Sequence, residues 1–224
     1  MKIIIFGGTG RVGRVILDRA LNDNHIVTIF VGNVSKLTVR KENLRIFQGD
    51  VFNSQSVRDA IRGQDAIVSA LGPDNSGSVN DTLAVAMRNI VNAARDTEVS
   101  KLVTIANSGI LQLSPRELRL DSPNYPQYLK KSSREFMDAF EILKASELDW
   151  VVVCPPFMSF SEGNQSYRVS ADFLPENGEK ISIQDVAEFA YKQLFTSEYT
   201  QKRVGIATNL ERTRKVKFPI LKYV

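Results

Sequence analysis

Gly7-Gly8-Thr9-Gly10-Arg11-Val12-Gly13 is the segment that decides the fold, because it joins an apolar run to a helical pattern. The run before it, Lys2–Phe6, has the continuous hydrophobicity of a buried strand. After it, apolar residues recur at helical spacing as far as Ala20. Its three spaced glycines, Gly7, Gly10 and Gly13, allow a sharp turn and a close approach of helix N–H groups to an anion. The segment therefore predicts the first strand, loop and helix of a nucleotide-binding α/β fold.

Strand-like and helix-like patterns alternate along the rest of the chain. The further strand-like runs are Ile26–Val31, Leu44–Gln48, 66–70, 102–106 and 150–154. Between or after these runs, apolar residues recur at helical spacing around Ile61, Ile90, Phe140 and Phe189. The near-continuous hydrophobicity of these runs predicts a buried parallel sheet, and their alternation with helices predicts helices on both faces. We expect one doubly wound α/β domain at residues 1–208, with a small C-terminal substrate-side region, and a basic extension at residues 209–224.

Two long connections interrupt the alternation, at residues 109–127 and 155–180. Six of the eight prolines lie in them, so neither is predicted to be a regular helix. They follow the fifth and sixth predicted strands directly. Open α/β sheets bind their ligands at the carboxyl ends of the strands, so both connections are expected to border the site.

Composition narrows the class of protein. The 224 residues are 43% hydrophobic, and no apolar run reaches the roughly 20 residues of a membrane helix. Residues 201–224 hold seven Lys and Arg against one Glu and account for the net charge of +4, so a nucleic-acid groove in the domain is not expected. Cys154 is the only cysteine, which excludes an intrachain disulfide and the usual sulfur ligands of zinc. No metal is predicted, and a reducing cytoplasm fits best.

The end of the second predicted strand bears on the choice of dinucleotide. An acidic residue there usually binds the ribose hydroxyls of NAD, but this chain has Val31-Gly32-Asn33. Arg11 in the glycine segment and Lys36 beyond the strand are suited to bind a 2′-phosphate. NADP is therefore expected rather than NAD. The alternative is that both residues are ordinary solvated cations.

Several short segments accompany the glycine segment. They are Gly49-Asp50-Val51, Ala70-Leu71-Gly72, Asn107-Ser108, Pro155-Pro156 and Ile183-Gln184-Asp185-Val186-Ala187. Over residues 1 to about 208 the chain resembles the atypical short-chain dehydrogenase/reductases, the NmrA-like or NAD(P)H-binding group, which implies a Rossmann-like sheet. Gly63-Gln64-Asp65-Ala66 and Arg88-Asn89-Ile90-Val91, with the paired prolines, make it most similar to the flavin reductase/biliverdin-IXβ reductase type.

The resemblance implies a position for each part of the cofactor. The pyrophosphate would contact the glycine segment through Gly7, Thr9, Gly10, Arg11, Val12 and Gly13. Asp50 and Val51 would border the adenine, and Ala70, Leu71 and Gly72 would border the ribose. Near the nicotinamide would be Asn107, Ser108, Pro155, Pro156 and Phe157. The alternatives are that Asp50 caps a turn and that residues 70–72 only pack in the core and the following turn.

The proton donor of the classical superfamily members, a Tyr four residues before a Lys, is missing from this sequence. Tyr128 is a weak candidate acid; the alternative is a helix-start residue beside solvated lysines. His25 and Cys154 are expected to be structural. Phe136, Phe157 and Phe160 are candidates to line an acceptor pocket, although aromatic residues at such positions also occur in cores.

These observations favour an NADP(H)-dependent reductase that passes hydride to a flavin, quinone or similar conjugated acceptor, with Ser108 polarising the acceptor. Such a transfer needs stacking against the nicotinamide more than a dedicated acid. The alternative is a non-catalytic NADP(H) sensor in which cofactor binding orders one of the two long connections. A sugar-nucleotide isomerase or dehydratase fits less well, because those enzymes generally carry the Tyr–Lys pair and a larger C-terminal domain.

Overall fold

The structure, a computed structural model, describes residues 1–34, 40–73 and 82–209. Its strands are β1 (Lys2–Phe6), β2 (Ile26–Val31), β3 (Leu44–Gln48), β4 (Ala66–Ser69), β5 (Lys101–Ile105), β6 (Gln112–Ser114), β7 (Glu117–Leu118), β8 (Asp149–Cys154), β9 (Phe157–Ser159), β10 (Tyr167–Ala171), β11 (Lys180–Ser182) and β12 (Lys202–Thr208). Its α-helices are α1 (Arg11–Asn22), α2 (Ser54–Ile61), α3 (Leu83–Asp96), α4 (Gln127–Lys144) and α5 (Ile183–Lys192).

Eight of the strands form one sheet in the order β10-β12-β8-β5-β4-β1-β2-β3. All neighbours are parallel except β10, which runs antiparallel to β12 at one edge. The strand order reverses between β1 and β4, and the crevice at such a reversal is where doubly wound sheets bind ligands. The predicted doubly wound, Rossmann-like single domain is confirmed.

Side chains of the sheet alternate between two apolar layers. On β1, Ile3 and Ile5 belong to the layer formed with α1 and α5, whereas Ile4 and Phe6 belong to the layer formed with α2, α3 and α4. All four are fully buried, and burial of each such side chain stabilises the fold by about 1.5–3 kcal/mol. Both faces of the sheet are therefore covered.

The predicted strands match the observed ones to within one residue at each end. One prediction was wrong in burial: β3 is a half-exposed edge strand, and Ile46 is 51% exposed. Among the described strands its only neighbour is β2, at the edge of the sheet. β5 begins at Lys101, one residue earlier than predicted. The Lys101 ammonium is buried in an ion pair, with its Nζ 2.9 Å from Asp149 Oδ2.

The two long connections hold short strands and turns, and the prediction that they are not regular helices is confirmed. The first contains the β6–β7 hairpin, and α4 begins at its last residue, Gln127. The second contains β9 and β10 and ends at β11. β12 follows α5 and pairs in parallel with β8. Lys36 and residues 210–224 of the predicted extension lie outside the described residues. No described helix is both long and apolar enough to cross a membrane.

Candidate functional site

A cleft of about 900 Å³ lies at the carboxyl ends of β1, β4, β5 and β8. It brings together these residues predicted from the sequence: Arg11, Val12, Ala70, Leu71, Gly72, Asn107, Ser108, Tyr128, Pro155, Pro156 and Phe157. Its size is within the usual range of small-molecule sites. Two walls differ in construction. The glycine wall is lined by Arg11, Val12 and residues 70–72 and is supported by the rest of the glycine segment, since Gly7, Thr9, Gly10 and Gly13 do not themselves line the cleft; the side-chain wall is made by residues from 105–136 and 155–158.

Main-chain contacts fix the turn at the base of the glycine wall. Gly7 has a φ of +76°, and a Cβ there would lie 2.6 Å from the carbonyl oxygen of Ala70. A Cβ on Gly13 would collide with the carbonyl oxygen of Gly7. Gly8 is also required, since its Cβ would lie 2.7 Å from Ile29 Cδ1, and the glycine spacing gave no sign of this. These glycines let the turn approach residue 70 and let α1 pack on β1 and β2.

The tip of the glycine segment, in contrast, is open. A Cβ on Gly10 would meet only the Gly7 carbonyl oxygen within 4 Å, at 3.2 Å, and one on Gly72 would meet nothing. Thr9 is half-buried and Gly10 is exposed. Protein packing does not explain glycine at position 72, and at position 10 it disfavours a side chain only through the Gly7 carbonyl oxygen. Close approach of a ligand to the backbone accounts for both glycines.

The first turn of α1 has no side-chain cap. By comparison, α2, α3 and α5 are capped by Asn53, Thr82 and Ser182. The first turn of α1 also contains no acidic residue. Uncapped N–H groups at a helix start carry partial positive charge and bind phosphate groups. α1 therefore presents an anion-binding terminus to the cleft.

Arg11 is exposed at the start of α1, and its guanidinium lies 5.7 Å from the centre of the Phe160 ring. It forms no ion pair with a described residue, and no carboxylate occupies the end of β2, where Gly32 and Asn33 lie. Arg11 is thus available to a ligand phosphate. Lys36, its expected companion, lies outside the described residues.

Asp50 and Val51 do not line this cleft. They follow β3 at the edge of the sheet, where the Asp50 carboxylate accepts a hydrogen bond of 2.9 Å from the Phe52 N–H. The Val51 carbonyl accepts one of 2.9 Å from Asn89 Nδ2. The turn-cap alternative thus accounts for the contacts of Asp50, and the expected adenine contact stays a prediction.

The side-chain wall is organised by a hydrogen-bonded cluster beneath its surface. Asn107 Oδ1 accepts a bond of 3.0 Å from the Gly109 N–H, and its amide Nδ2 lies 3.1 Å from Ser133 Oγ. The Tyr125 hydroxyl lies 2.8 Å from the same Oγ. Ser108, 8% exposed, is held by its own N–H, which donates to the Pro155 carbonyl at 2.9 Å. This network fixes the segment after β5 against α4.

Sequence reasoning missed Tyr125, Ser133 and Arg119, of which the first and last line the cleft. The Tyr–Lys motif of the superfamily covers only one spacing, which does not include Tyr125. Ser133 could not be linked to Asn107 from the sequence, because the two residues meet only where α4 packs beside β5. Burial raises the pKa of Tyr125, and nearby Arg119 partly offsets this effect. Tyr125 is therefore a neutral hydrogen-bonding group at physiological pH.

Aromatic side chains stand at the mouth of the cleft. Tyr128 is 83% exposed and Phe157 is 71% exposed, while Phe136 is partly buried against the core. Phe160 is exposed beside Arg11 rather than inside the cleft. The described residues that line the cleft include no Asp, Glu, His or Lys. The site therefore offers apolar and hydroxyl surface but no ordinary proton-transfer pair.

His25 and Cys154, which are expected from the sequence to be structural, lie away from the cleft. His25 lies near the amino end of β2, 3.2 Å from the N-terminal amine, and burial lowers the pKa of its imidazole. Cys154 is fully buried at the end of β8, and burial raises the pKa of its thiol. A buried, protonated thiol is a poor nucleophile.

Comparison with known proteins gives a family match. The model of the NAD(P)H-binding family matches residues 7–197. The Bacillus subtilis protein YwnB is 26% identical over 209 residues, which cover 91% of this chain and 95% of YwnB. The match includes both walls of the cleft, and the resemblance drawn from the short motifs is confirmed at the level of the family.

Solved structures share the fold at low sequence identity. A candidate epimerase from Bacteroides thetaiotaomicron is 24% identical with a TM-score of 0.83, covering 94% of this chain and 98% of that one. A candidate NADH-flavin reductase from Streptococcus pneumoniae is 21% identical with a TM-score of 0.76, covering 93% and 100%. ChuY, an anaerobillin reductase from Escherichia coli O157:H7, is 19% identical with a TM-score of 0.77, covering 94% and 99%.

Proposed function

The chain belongs to the NAD(P)H-binding family, and from this premise we propose that it is an NADP(H)-dependent oxidoreductase that reduces a flavin, a quinone or a similar conjugated acceptor. The observation that carries the proposal is the cleft itself. One wall offers an uncapped helix start and open glycines, and the other offers hydroxyl and aromatic groups without a carboxylate, imidazole or ammonium. Structural neighbours named as an NADH-flavin reductase and an anaerobillin reductase support the same reaction class.

The residues of the glycine wall fit a dinucleotide. The open space beside Gly10 and Gly72 suits a pyrophosphate and a ribose that approach the backbone closely. The N–H groups of Val12 and Gly13 at the start of α1 would hold the phosphate oxygens. Thr9 lies at the tip of the same turn and would cover the phosphates.

The proposed cofactor supplies a hydride from its nicotinamide ring when bound. The side-chain wall would bind the acceptor against that ring, with Phe157 providing an apolar stacking surface and Pro155 and Pro156 keeping the segment after β8 rigid. The Ser108 hydroxyl makes no hydrogen bond with another described residue, so it is available to donate to an acceptor carbonyl. Tyr128, with its ring in solvent, is not needed for this step.

NADP is favoured over NAD in the proposal. The end of β2 lacks the acidic residue that binds the ribose of NAD and repels a 2′-phosphate. Arg11, at the start of α1, forms no ion pair with a described residue, and guanidinium groups bind phosphate through two parallel N–H donors. The single cysteine is compatible with a reducing compartment, and the proposal assigns the reaction to the cytoplasm.

The test is steady-state oxidation of NADPH by purified protein with FMN, riboflavin and menadione as acceptors. We expect turnover with at least one of them, and faster turnover with NADPH than with NADH. Gly72→Val is the matched variant, because a Cβ at this position meets no protein atom within 4 Å, whereas the side chain would occupy the space proposed for the ribose. Circular dichroism should show this variant folded, and its NADPH oxidation should be lost.

Absence of turnover with every acceptor would contradict the proposed reaction. In that event the second candidate function, a non-catalytic NADP(H) sensor, is favoured. The rings of Tyr128 and Phe157 are exposed at the mouth of the cleft, and exposed aromatic groups are suited to bind a protein partner. A sensor should bind NADP and NADPH with different affinity and change its oligomeric state or partner binding when one of them is bound. Calorimetry and analytical ultracentrifugation measure both properties.

A further inference from the structure

We propose that Arg119 binds an anionic group of the acceptor substrate, a carboxylate or a phosphate, and so selects acidic acceptors over neutral ones. The inference rests on the proposed function and adds the chemical class of the substrate. Arg119 lies in the short turn after the β6–β7 hairpin and lines the side-chain wall of the cleft. It is only half-exposed.

The guanidinium of Arg119 lacks a counterion in the described part of the chain. Its Nε is buried and has no hydrogen-bond partner. The neighbouring carboxylate, that of Asp121, is instead 2.5 Å from Arg134. Burial lowers the pKa of Arg119, and Tyr125 is the group that opposes this shift. A half-buried cation without a partner costs folding free energy, which a bound anion would recover.

The charges around the cleft favour an anion at this position. No Asp or Glu belongs to the described lining, and Arg11 is the one other charged residue there. Arg11 lies at the start of α1 on the glycine wall, whereas Arg119 lies on the wall that carries Ser108 and Tyr125. Two anions can therefore bind in one cleft without competing, the cofactor on the glycine wall and the acceptor on the other.

Arg119 would act by binding and orientation. In the proposed reaction the acceptor gains a hydride from NADPH and a proton from solvent, and NADP⁺ is released. Arg119 exchanges neither proton nor electron, because a guanidinium stays protonated in proteins. Its planar donors would hold the acidic group of the acceptor and leave the conjugated ring beside Ser108 and Phe157.

The first test compares ligands that differ in one acidic group. FMN and riboflavin differ in the phosphate, and biliverdin and its dimethyl ester differ in the carboxylates. Binding is measured without NADPH, by quenching of flavin fluorescence and by calorimetry, and kcat/KM is measured with NADPH. We expect at least one acidic member to bind about 10-fold or more tightly than its neutral counterpart, the effect of one charge-assisted pair. The pair that shows this preference tells a phosphate from a carboxylate.

The second test removes the guanidinium. Arg119→Gln should weaken binding of the acidic ligand about 10-fold or more and leave the neutral ligand within about twofold. Arg119→Lys should retain part of the preference, since it keeps the charge and loses the planar donors. Arg116→Gln is the matched control: it removes one positive charge from an exposed position of the same hairpin and should have no effect.

Three results would overturn the inference. The first is that wild-type protein does not distinguish either pair of ligands. The second is that Arg119→Gln weakens acidic and neutral ligands equally, which indicates a packing role. The third is that it weakens NADPH binding and not acceptor binding, which would assign Arg119 to the cofactor. If no acceptor turns over but the acidic ligand still binds more tightly through Arg119, the anion site is upheld and the proposed reaction fails.

Discussion

The glycine wall and the side-chain wall of the cleft are built in different ways. The glycine wall is determined by main-chain contacts, in which Gly7 and Gly13 allow approaches that no other residue permits. The side-chain wall depends on groups from distant parts of the chain, such as Asn107 and Ser133, joined by hydrogen bonds. In the proposed function, the backbone of the glycine wall would bind what all dinucleotides share, and the side chains of the other wall would select the acceptor.

The largest expected effect would come from adding a methyl group to the glycine wall. Gly7→Ala combines a positive φ with a Cβ 2.6 Å from the Ala70 carbonyl oxygen, so we expect a loss of about 2–4 kcal/mol in the free energy of unfolding. Gly72→Ala is the control, since its Cβ meets nothing within 4 Å. Urea denaturation measures both. Equal stability of the two variants would contradict a wall fixed by its main chain.

The next effect tests whether Arg11, on the same wall, binds the 2′-phosphate that distinguishes NADP from NAD. Arg11→Ala should weaken NADP binding by about 1–3 kcal/mol, the range for a charge-assisted hydrogen bond, and should weaken NAD binding less. Arg14→Ala, one turn further along α1 and also exposed, is the control. Calorimetry with both nucleotides provides the measurement. An equal loss for NAD and NADP would show that Arg11 does not contact the 2′-phosphate.

A smaller effect is expected from the hydrogen-bonded cluster behind the side-chain wall. Tyr125→Phe removes the hydroxyl 2.8 Å from Ser133 and should cost about 1 kcal/mol of stability. Tyr128→Phe should change neither stability nor kcat/KM, because its ring is 83% exposed. If Tyr128 were the proton donor, its loss would lower kcat/KM by about 10²–10⁴. Thermal unfolding and steady-state kinetics compare the two variants.

The smallest effect concerns pH. With riboflavin as acceptor, kcat/KM should vary less than about twofold between pH 6 and 9, because the described lining contains no Asp, Glu, His, Lys or Cys. Burial raises the pKa of Tyr125, so the folded state holds this proton more tightly than the unfolded chain. Its contribution to stability is present below about pH 10 and is lost as pH rises through the raised pKa. A bell-shaped rate profile near neutrality would indicate an acid–base pair that the cleft lacks.

Much of the fold followed from local patterns. The continuous hydrophobicity of β1, β2, β4, β5 and β8 was sufficient to predict a parallel sheet, because strands buried on both faces have no polar side. The same rule failed for β3, Leu44–Gln48, where Ile46 is half-exposed. Its Arg45 and Gln48 already distinguish it from the central strands, but its place at the edge of the sheet is a tertiary property.

The candidate site was less evenly predictable. Residues that directly follow strands, such as Ser108 and Pro155, were identified because parallel strands bring their carboxyl ends to one edge. Tyr125 and Arg119 were not, because they come from an irregular connection with no periodicity. The Tyr-x-x-x-Lys motif is a spacing within one helix, whereas the observed Tyr125–Ser133 contact joins a loop to a helix.

The sequence by itself determined the glycine segment, the doubly wound sheet and the anion-binding start of α1, since these depend on backbone geometry and local spacing. Only the tertiary structure decided which glycines are required by packing and which are open to a ligand. It also decided that Asp121 pairs with Arg134 and that Arg119 has no counterion among the described residues. Charge compensation depends on distances between side chains far apart in the chain, and no local pattern encodes them.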